Sequence, residues 1–342
     1  MLINYLLLAF FLTIFLSHLM LKYVHIRGFM DDPNDDRKIH STHTPRFGGI
    51  PFSIITLTLS TIYISFNTSY NWYIFSAFII FILGLMDDVY RISWRIKTFI
   101  QIIAGILIFS QFFTTLPAIN FFGFIFSLPT ILFFPIFLIW FLGILNAVNL
   151  ADGMDGLAGG SFFLISIGAS YIGWATQHPT FMAFYLILAA SLLGFLFYNG
   201  RPAKFFMGDA GSLFLGFNLA VMPMLFLAEY KVIDSVPITP FILISSYFII
   251  DTLRVFFIRI KAKQNPLTPD NNHFHHQLLK FTHSYNASLF VIYFINCTFC
   301  ITSIVSIFYQ LNMLLLTLYI GLLLSCIFIP QPKFLLLTIA KI

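Results

Sequence analysis

Long runs of apolar residues alternate with short polar segments along most of the chain. Each run approaches the ~20 residues that a helix needs to cross the ~30 Å core of a bilayer. The pattern therefore predicts about eleven membrane-spanning helices. The runs cover residues 2–21, 47–66, 71–86, 98–113, 129–145, 161–176, 180–198, 212–228, 238–258, 288–309 and 312–329. The first run has no basic residue before it and no small-x-small cleavage site, so we predict a span rather than a cleaved signal.

The composition supports this interpretation. Hydrophobic residues make up 59% of the 342 residues and charged residues 9%, and the mean hydropathy is +0.91. This is too apolar for the surface of a soluble domain. We see no repeat of the kind that marks many secondary transporters. We therefore predict one all-α integral membrane domain over residues 1–342, a polytopic bundle of about ten or eleven transmembrane helices with its active site on cytoplasmic loops.

The basic residues predict the orientation of the spans. When the gaps between runs are assigned alternately to two sides, all of the 18 Lys and Arg residues except Lys231 fall on one side. Because cytoplasmic loops carry the excess of Lys and Arg, the N-terminus is predicted outside and the C-terminus inside. The net charge of +5 reflects this topology and anion binding, and needs no nucleic acid. The longest outer segment, Thr114 to Pro129, is apolar with Pro and Gly breaks, which indicates a re-entrant or interfacial piece.

Two adjacent carboxylates, Asp87 and Asp88, end the third run at the membrane surface, and Lys97 follows before the fourth run. Acids at the end of a helix are unfavourable, because that end carries the negative pole of the helix dipole. A cation should offset them, either a bound metal or the basic side chains that follow. The alternative is a solvated loop.

The stretch NLADGMDGLAGG begins at Asn149 and joins two apolar runs. Asn146, Asn149, Asp152 and Asp155 recur every three residues, a spacing that places neighbouring members on one face of a helix. Amide and carboxylate oxygens suit Mg²⁺, which leaves its other positions to water and phosphate oxygens. The alternative is a capped helix end, but a cap needs only one such residue.

A similar polar corner precedes the eighth run. Asp209 follows Gly208, Ser212 comes soon after, and Arg201 and Lys204 lie upstream. Free N–H groups at a helix start, together with basic side chains, form phosphate and metal sites. The alternative is an Asp at the N-cap without a ligand.

The segment PDNNHFHHQLLK places His273, His275 and His276 in a late cytoplasmic gap. A zinc site is conceivable, but no Cys lies nearby, and imidazoles can instead donate to phosphate oxygens. Asp251 and Arg254 are three residues apart near the end of the ninth run, and we predict a simple intrahelical ion pair.

Taken in order, these stretches resemble the polyprenyl-phosphate N-acetylhexosamine-1-phosphate transferase family, within glycosyltransferase family 4. The resemblance covers nearly the whole chain and is closest to the undecaprenyl-phosphate N-acetylglucosaminyl-1-phosphate transferases. It is carried by the stretches DDPNDDRKIHSTHTPRFGGI, DDVYRISWRIK, NAVNLADGMDGLAGG, PAKFFMGDAGSLFLGF and HFHH. The combination in this order is far more specific than any one stretch.

The resemblance implies a role for each matched residue. It implies catalytic roles for Asp87, Asp88 and Lys97, Mg²⁺ ligands at Asn149 and Asp209, with Mn²⁺ as a substitute, and a uracil-binding carboxylate at Asp155. Further substrate-binding positions are implied at Asp152, Lys204, His273, His275, His276, Arg37, Lys38, Gly48 and Gly49. The additional acids Asp35 and Asp36 depart from the usual N-terminal loop, so its contacts stay open.

The resemblance also implies a reaction and a location. A sugar-1-phosphate, N-acetylglucosamine-1-phosphate first, would pass from a UDP-N-acetylhexosamine to undecaprenyl phosphate in the bacterial inner membrane, releasing UMP and starting a cell-envelope polysaccharide. The His-x-His-His spacing favours this branch over phospho-N-acetylmuramoyl-pentapeptide transferases, which carry three consecutive histidines. A secondary transporter is the alternative from another class, and a homodimer is left open.

Overall fold

The structure is a computed structural model that describes residues 1–27, 44–64, 68–112, 118–227, 235–265, 272–309 and 315–322. Arg37, Lys38 and Lys231, together with the acids of the N-terminal loop, lie outside these residues. Within the described ranges the chain forms helices and three short strands. In chain order these are α1 (Leu2–Arg27), α2 (Gly49–Ile64), α3 (Thr68–Tyr90), α4 (Trp94–Phe112), β1 (Ala118–Phe121), β2 (Phe124–Phe126), α5 (Thr130–Ala151), α6 (Leu157–Ala175), α7 (Pro179–Asn199), α8 (Gly208–Ala220), α9 (Met222–Leu227), β3 (Ser235–Pro237), α10 (Thr239–Ile244), α11 (Ser246–Lys261), α12 (Phe274–Thr282) and α13 (Tyr285–Phe308).

Each predicted run contains a helix. Of the helices described, six are long and apolar enough to cross a membrane: α1, α3, α5, α6, α7 and α13. The helix α2 is apolar but has 16 residues, and the described part of the last run, 315–322, is also helical. The chain is therefore an all-α, multi-pass membrane protein apart from its short strands.

Two predicted runs each form two shorter helices, which the sequence analysis treated as single spans. Pro223, the second residue of α9, lacks the N–H group that would continue the helical hydrogen bonds from α8. Between α10 and α11, the hydroxyls of Ser245 and Ser246 donate to the carbonyls of Phe241 and Ile242, at 2.7 and 2.8 Å. Hydroxyl bonds of this kind bend helices.

The outer segment forms a small sheet where we predicted a re-entrant or interfacial piece. β1 pairs antiparallel with β2 and parallel with β3, so the strand order is β2-β1-β3. The three residues of β2 are exposed and apolar. A cavity of about 830 Å³ lies beside this sheet, lined by Asn120, Phe122, Thr239 and Tyr309 among others, at the end of the bundle opposite the polar residues described below.

Close contact between α3 and α8 positions the polar end of the bundle. Gly84 of α3 lies against the start of α8, where a Cβ atom on Gly84 would come within 2.6 Å of the Cα atom of Ala210. Asp88 lies one turn further along the same face of α3. The missing side chain at Gly84 therefore lets α3 bring this carboxylate to the first residues of α8.

Candidate active site

The polar residues collect at one end of the bundle. The ends of α3 and α5 meet the starts of α4, α6, α8 and α12 there. Asp87, Lys97, Asn149 and Asp209 come together from four different helices. The sequence analysis named all four as site residues, and the roles given to them there stay predictions.

Asp88 holds the start of α8. Its two carboxylate oxygens accept the backbone N–H groups of Asp209 and Ala210, at 2.8 and 2.9 Å. Gly208 precedes them with φ +73°, and a Cβ atom there would lie 2.7 Å from a carboxylate oxygen of Asp88. From the sequence we expected N–H groups here that are free to bind a phosphate. The two N–H groups are not free, because Asp88 accepts both of them. Asp88 instead caps the start of α8 through these two hydrogen bonds.

Lys97 joins the two other carboxylates of the corner. Its Nζ atom pairs with Asp87 and lies 3.1 Å from a carboxylate oxygen of Asp209. Burial lowers the pKa of Lys97, but the charges of Asp209 and Asp87 outweigh it and raise that pKa above its ordinary value. Burial raises the pKa of Asp209, but a hydrogen bond shared with Asp87, the charge of Lys97 and hydrogen bonds from Lys97 and Asn149 together bring that pKa below its ordinary value. Both Lys97 and Asp209 are therefore charged at neutral pH.

Asn149 completes the corner from the last turn of α5. Its amide nitrogen donates to the hydroxyl of Ser212 at 2.9 Å, which fixes the plane of the side chain. Among the described residues, no group of three or more His, Cys, Asp or Glu side chains is arranged to hold a metal. One carboxylate and one amide oxygen do fit Mg²⁺, which takes few protein ligands and completes its shell with water and phosphate oxygens.

Asp152 lies between the corner and the rest of the turn. Burial raises its pKa to about 7, and the charges of Asp209 and Asp155 add to this while Arg46 opposes it. Asp152 therefore carries a proton part of the time at neutral pH. Arg46 was not singled out as a site residue in the sequence analysis.

The histidine helix α12 is attached at two points. The carboxylate of Asp251 in α11 accepts the backbone N–H of Phe274 at 2.6 Å. It also forms a hydrogen bond with the Nδ1 atom of His273, at 2.8 Å. Arg254 donates to the backbone carbonyl of Asn272 at 2.8 Å. The prediction of an ion pair between Asp251 and Arg254 is wrong, because both side chains instead form hydrogen bonds with residues 272–274.

His275 brings the histidine helix onto the turn between α5 and α6. Its ring packs against Gly153, where a Cβ atom would collide with the Nε2 atom. The side chain is 1% exposed, and neither ring nitrogen has a hydrogen-bond partner among the described residues. Burial, with the neighbouring His276, lowers the pKa of His275 to about 3. His275 is therefore neutral and offers one N–H donor at physiological pH. His276 lies beside it, with ring centroids 4.2 Å apart.

Asp155 marks the far end of the same turn. One carboxylate oxygen accepts the backbone N–H of Ala203 at 3.2 Å, and its backbone carbonyl accepts the hydroxyl of Tyr285 at 3.3 Å. The guanidinium of Arg201 lies 3.9 Å above the ring centroid of Tyr285. Lys204 is exposed in the same loop as Ala203.

Gly48 and Gly49 lie against the other side of that loop. Their N–H groups donate to the carbonyls of Phe206 and Met207, at 2.8 and 2.7 Å. A Cβ atom on Gly48 would lie 2.6 Å from the carbonyl of Phe206. The two glycines therefore permit close backbone approach next to Asp209.

Three features of the site were missed in the sequence analysis. These are the support of Asn149 by Ser212, the hold of Asp251 on α12, and the stacking of Arg201 on Tyr285. A carboxylate inside an apolar run was a signal for Asp251. Nothing in the local sequence indicates the other two, because each pairs residues that are far apart in the chain.

Comparisons with known proteins identify the family of this chain. Residues 70–227 match the family model described as glycosyl transferase family 4. The chain is 37% identical over 305 residues to a probable undecaprenyl-phosphate N-acetylglucosaminyl 1-phosphate transferase of Bacillus subtilis, covering 86% of this chain and 82% of that protein.

Two further relatives are 33% identical. One is the undecaprenyl-phosphate alpha-N-acetylglucosaminyl 1-phosphate transferase of Thermotoga maritima, over 78% of this chain and 77% of that protein. The other is a phospho-N-acetylmuramoyl-pentapeptide-transferase of Streptococcus agalactiae, over 66% of this chain and 73% of that protein.

The fold and the site together define a polytopic membrane protein with carboxylate, lysine and histidine side chains gathered at one end of its helical bundle. The chain belongs to glycosyl transferase family 4.

Proposed function

We propose that this chain transfers N-acetylglucosamine-1-phosphate from its UDP-sugar to undecaprenyl phosphate and releases UMP. The observation that carries the proposal is the corner formed by Asp87, Lys97, Asn149 and Asp209. The names of the relatives from Bacillus subtilis and Thermotoga maritima support the sugar and the lipid acceptor.

The reaction joins two anions. An oxygen of the lipid phosphate attacks the phosphorus that carries the sugar, a new P–O–P bond forms, and the bond to UMP breaks. Positive charge must offset the repulsion between the phosphates, because in this type of reaction catalysis is mostly positioning and electrostatic stabilisation. Lys97, charged at neutral pH, supplies part of that charge, and His275 supplies a neutral N–H donor.

Asn149 and Asp209 would hold Mg²⁺, and Mn²⁺ is a substitute of similar ligand preference. The ion, when bound, neutralises charge on the phosphate oxygens. The chain itself keeps these ligands in place through Ser212, which accepts from Asn149, and through Asp88, which holds the start of α8.

The simplest test uses the purified protein with undecaprenyl phosphate, Mg²⁺ and a panel of UDP-sugars. We expect release of UMP with UDP-N-acetylglucosamine and formation of a lipid-linked diphosphosugar. A protein that takes up a solute into vesicles but releases no UMP would instead support a secondary transporter. The position of the acids at one end of the bundle, away from its middle, speaks against transport.

A competition assay tests the donor specificity. We expect UDP-N-acetylglucosamine to be consumed in preference to UDP-N-acetylmuramoyl-pentapeptide when both are present with the same lipid acceptor. The reason is the His-x-His-His spacing, in which Phe274 takes the place of a histidine. Preferential use of the pentapeptide nucleotide would make the phospho-N-acetylmuramoyl-pentapeptide transferase the better assignment.

Cysteine labelling tests the orientation in the inner membrane. We expect a membrane-impermeant reagent added outside to label Lys231→Cys but not Lys204→Cys, because only Lys231 lies on the side poor in Lys and Arg. Lys204 is the better inside position because it is exposed, whereas His275 is buried. The variants should be made without the native cysteines. Outside labelling of residue 204 would reverse the topology.

A further inference from the structure

We propose that Arg201 binds the base of the donor nucleotide, by stacking its guanidinium, backed by Tyr285, on the pyrimidine ring. This inference rests on the proposed function, since it assumes a uridine nucleotide as donor. It assigns Arg201, which neither the family motifs nor the polar corner includes.

The geometry begins with Tyr285, the first residue of α13. Its side chain is 8% exposed, and its hydroxyl donates to the backbone carbonyl of Asp155 at 3.3 Å. The ring is therefore fixed in direction. The guanidinium of Arg201 lies 3.9 Å above the centroid of this ring, so one face of the guanidinium is covered by the aromatic ring.

Arg201 is an exposed residue. A guanidinium is planar, weakly hydrated and able to stack on flat conjugated rings. With one face against Tyr285, its other face offers a flat, positively charged surface. The aromatic ring underneath removes much of the freedom that an exposed Arg side chain loses when it binds a ligand.

Asp155 supplies the complementary edge. Its carboxylate accepts one backbone N–H, from Ala203, and an ionised carboxylate has capacity for further donors. A uracil ring has an imide N–H in its plane. A base stacked on Arg201 would therefore find an acceptor for this N–H beside it.

The position along the site agrees with this role. Asn149 at the metal and phosphate corner, Asp152, Gly153 against His275, and Asp155 follow one another along a single turn of chain. Phosphate-binding groups lie at the first end and the Arg201 stack lies at the other. A nucleotide likewise has its phosphates at one end and its base at the other.

The test compares donor kinetics in Arg201→Ala, Arg201→Lys and a matched control, Arg95→Ala. Arg95 is also an exposed guanidinium over an aromatic ring, 5.5 Å from the centroid of Trp94, but belongs to α4. For Arg201→Ala we expect the KM for the UDP-sugar and the inhibition constant of UMP to rise about tenfold, with kcat changed less than about twofold. Arg201→Lys should resemble the Ala variant, because an ammonium keeps the charge but has no plane to stack.

Each other outcome is decisive. An Arg201→Ala protein with unchanged KM and unchanged inhibition by UMP would overturn the inference while the wild-type reaction still stands. A fully active Arg201→Lys protein would contradict the inference, because it would show that charge alone matters. A defect of Arg201→Ala that disappears in bilayers without anionic lipid would also contradict it, because it would show that Arg201 binds lipid headgroups. Absence of UMP release by the wild-type protein with every UDP-sugar would instead overturn the proposed function itself.

Discussion

Replacing Asp209 with Ala is expected to lower the transfer rate by at least about 10³-fold, because it removes a predicted metal ligand and the carboxylate that faces Lys97 at 3.1 Å. The fold should survive. The backbone N–H of residue 209, which Asp88 accepts, is present in alanine as well. Asn149→Ala should cause a loss of similar size, since it removes the second oxygen ligand. The measurement is the rate of UMP release at saturating substrates.

Two control variants separate metal binding from general damage. Asp209→Asn keeps the size of the side chain and should fold normally, but should need a higher Mg²⁺ concentration for half-maximal activity. Ser212→Ala removes only the hydroxyl that accepts from Asn149, at 2.9 Å, and should cost much less than the loss of Asn149 itself. Normal activity of either alanine variant, with an unchanged magnesium requirement, would show that the ligand assignment is wrong.

Replacing Asp87 with Asn is expected to lower turnover by about 100-fold at pH 7 and by the same factor at pH 9, because we assign Asp87 a positioning role. Asp87 pairs with Lys97, and the loss of its charge should release Lys97 from the line of the two phosphates. A general base would behave differently. A phosphate monoester has a second pKa near ~6, so at neutral pH the lipid phosphate is mostly a dianion, and removal of its last proton can gain only about tenfold.

The rates at pH 7 and pH 9 can be compared because Lys97 and Asp209 keep their charges over this range. Raising the pH from 7 to 9 leaves Lys97 protonated, because its pKa is raised, and leaves Asp209 ionised, because its pKa is lowered. Asp152, with a pKa of about 7, loses its remaining proton over this range in both proteins, so its effect largely cancels in the ratio of variant to wild type. Recovery of Asp87→Asn to nearly the wild-type rate at pH 9 would make Asp87 the base.

Much of the fold could be predicted from the sequence because each span depends only on one continuous stretch of apolar residues. An apolar run near 20 residues long gives a helix wherever it stands in the chain. The proximity of Asp87, Asn149 and Asp209 could be expected for a similar reason, since each lies next to the end of a run, on the side that the Lys and Arg pattern predicts to be cytoplasmic. Polar residues at the same end of several packed helices cannot lie in the apolar core of the bilayer, and they therefore tend to lie close to one another.

The division of work between neighbouring residues could not be predicted. Asp87 and Asp88 are adjacent and identical, yet one pairs with Lys97 and the other holds the start of α8. The difference depends on how closely Gly84 lets α3 approach α8, which is a property of packing. The partners of Asp251 also depend on packing, and the local spacing to Arg254 suggested the wrong one.

The hold of Asp88 on α8 also bears on the order in which the protein is made. The carboxylate and the two N–H groups it accepts are 121 and 122 residues apart. At ~5–20 residues synthesised per second, α3 waits about 6 to 24 s in the membrane before residue 209 is made. The corresponding bond from Asp251 to Phe274 spans 23 residues and needs about 1 to 5 s. During synthesis, α12 can thus bind Asp251 within seconds of being made. The start of α8, in contrast, must find Asp88, which was made much earlier.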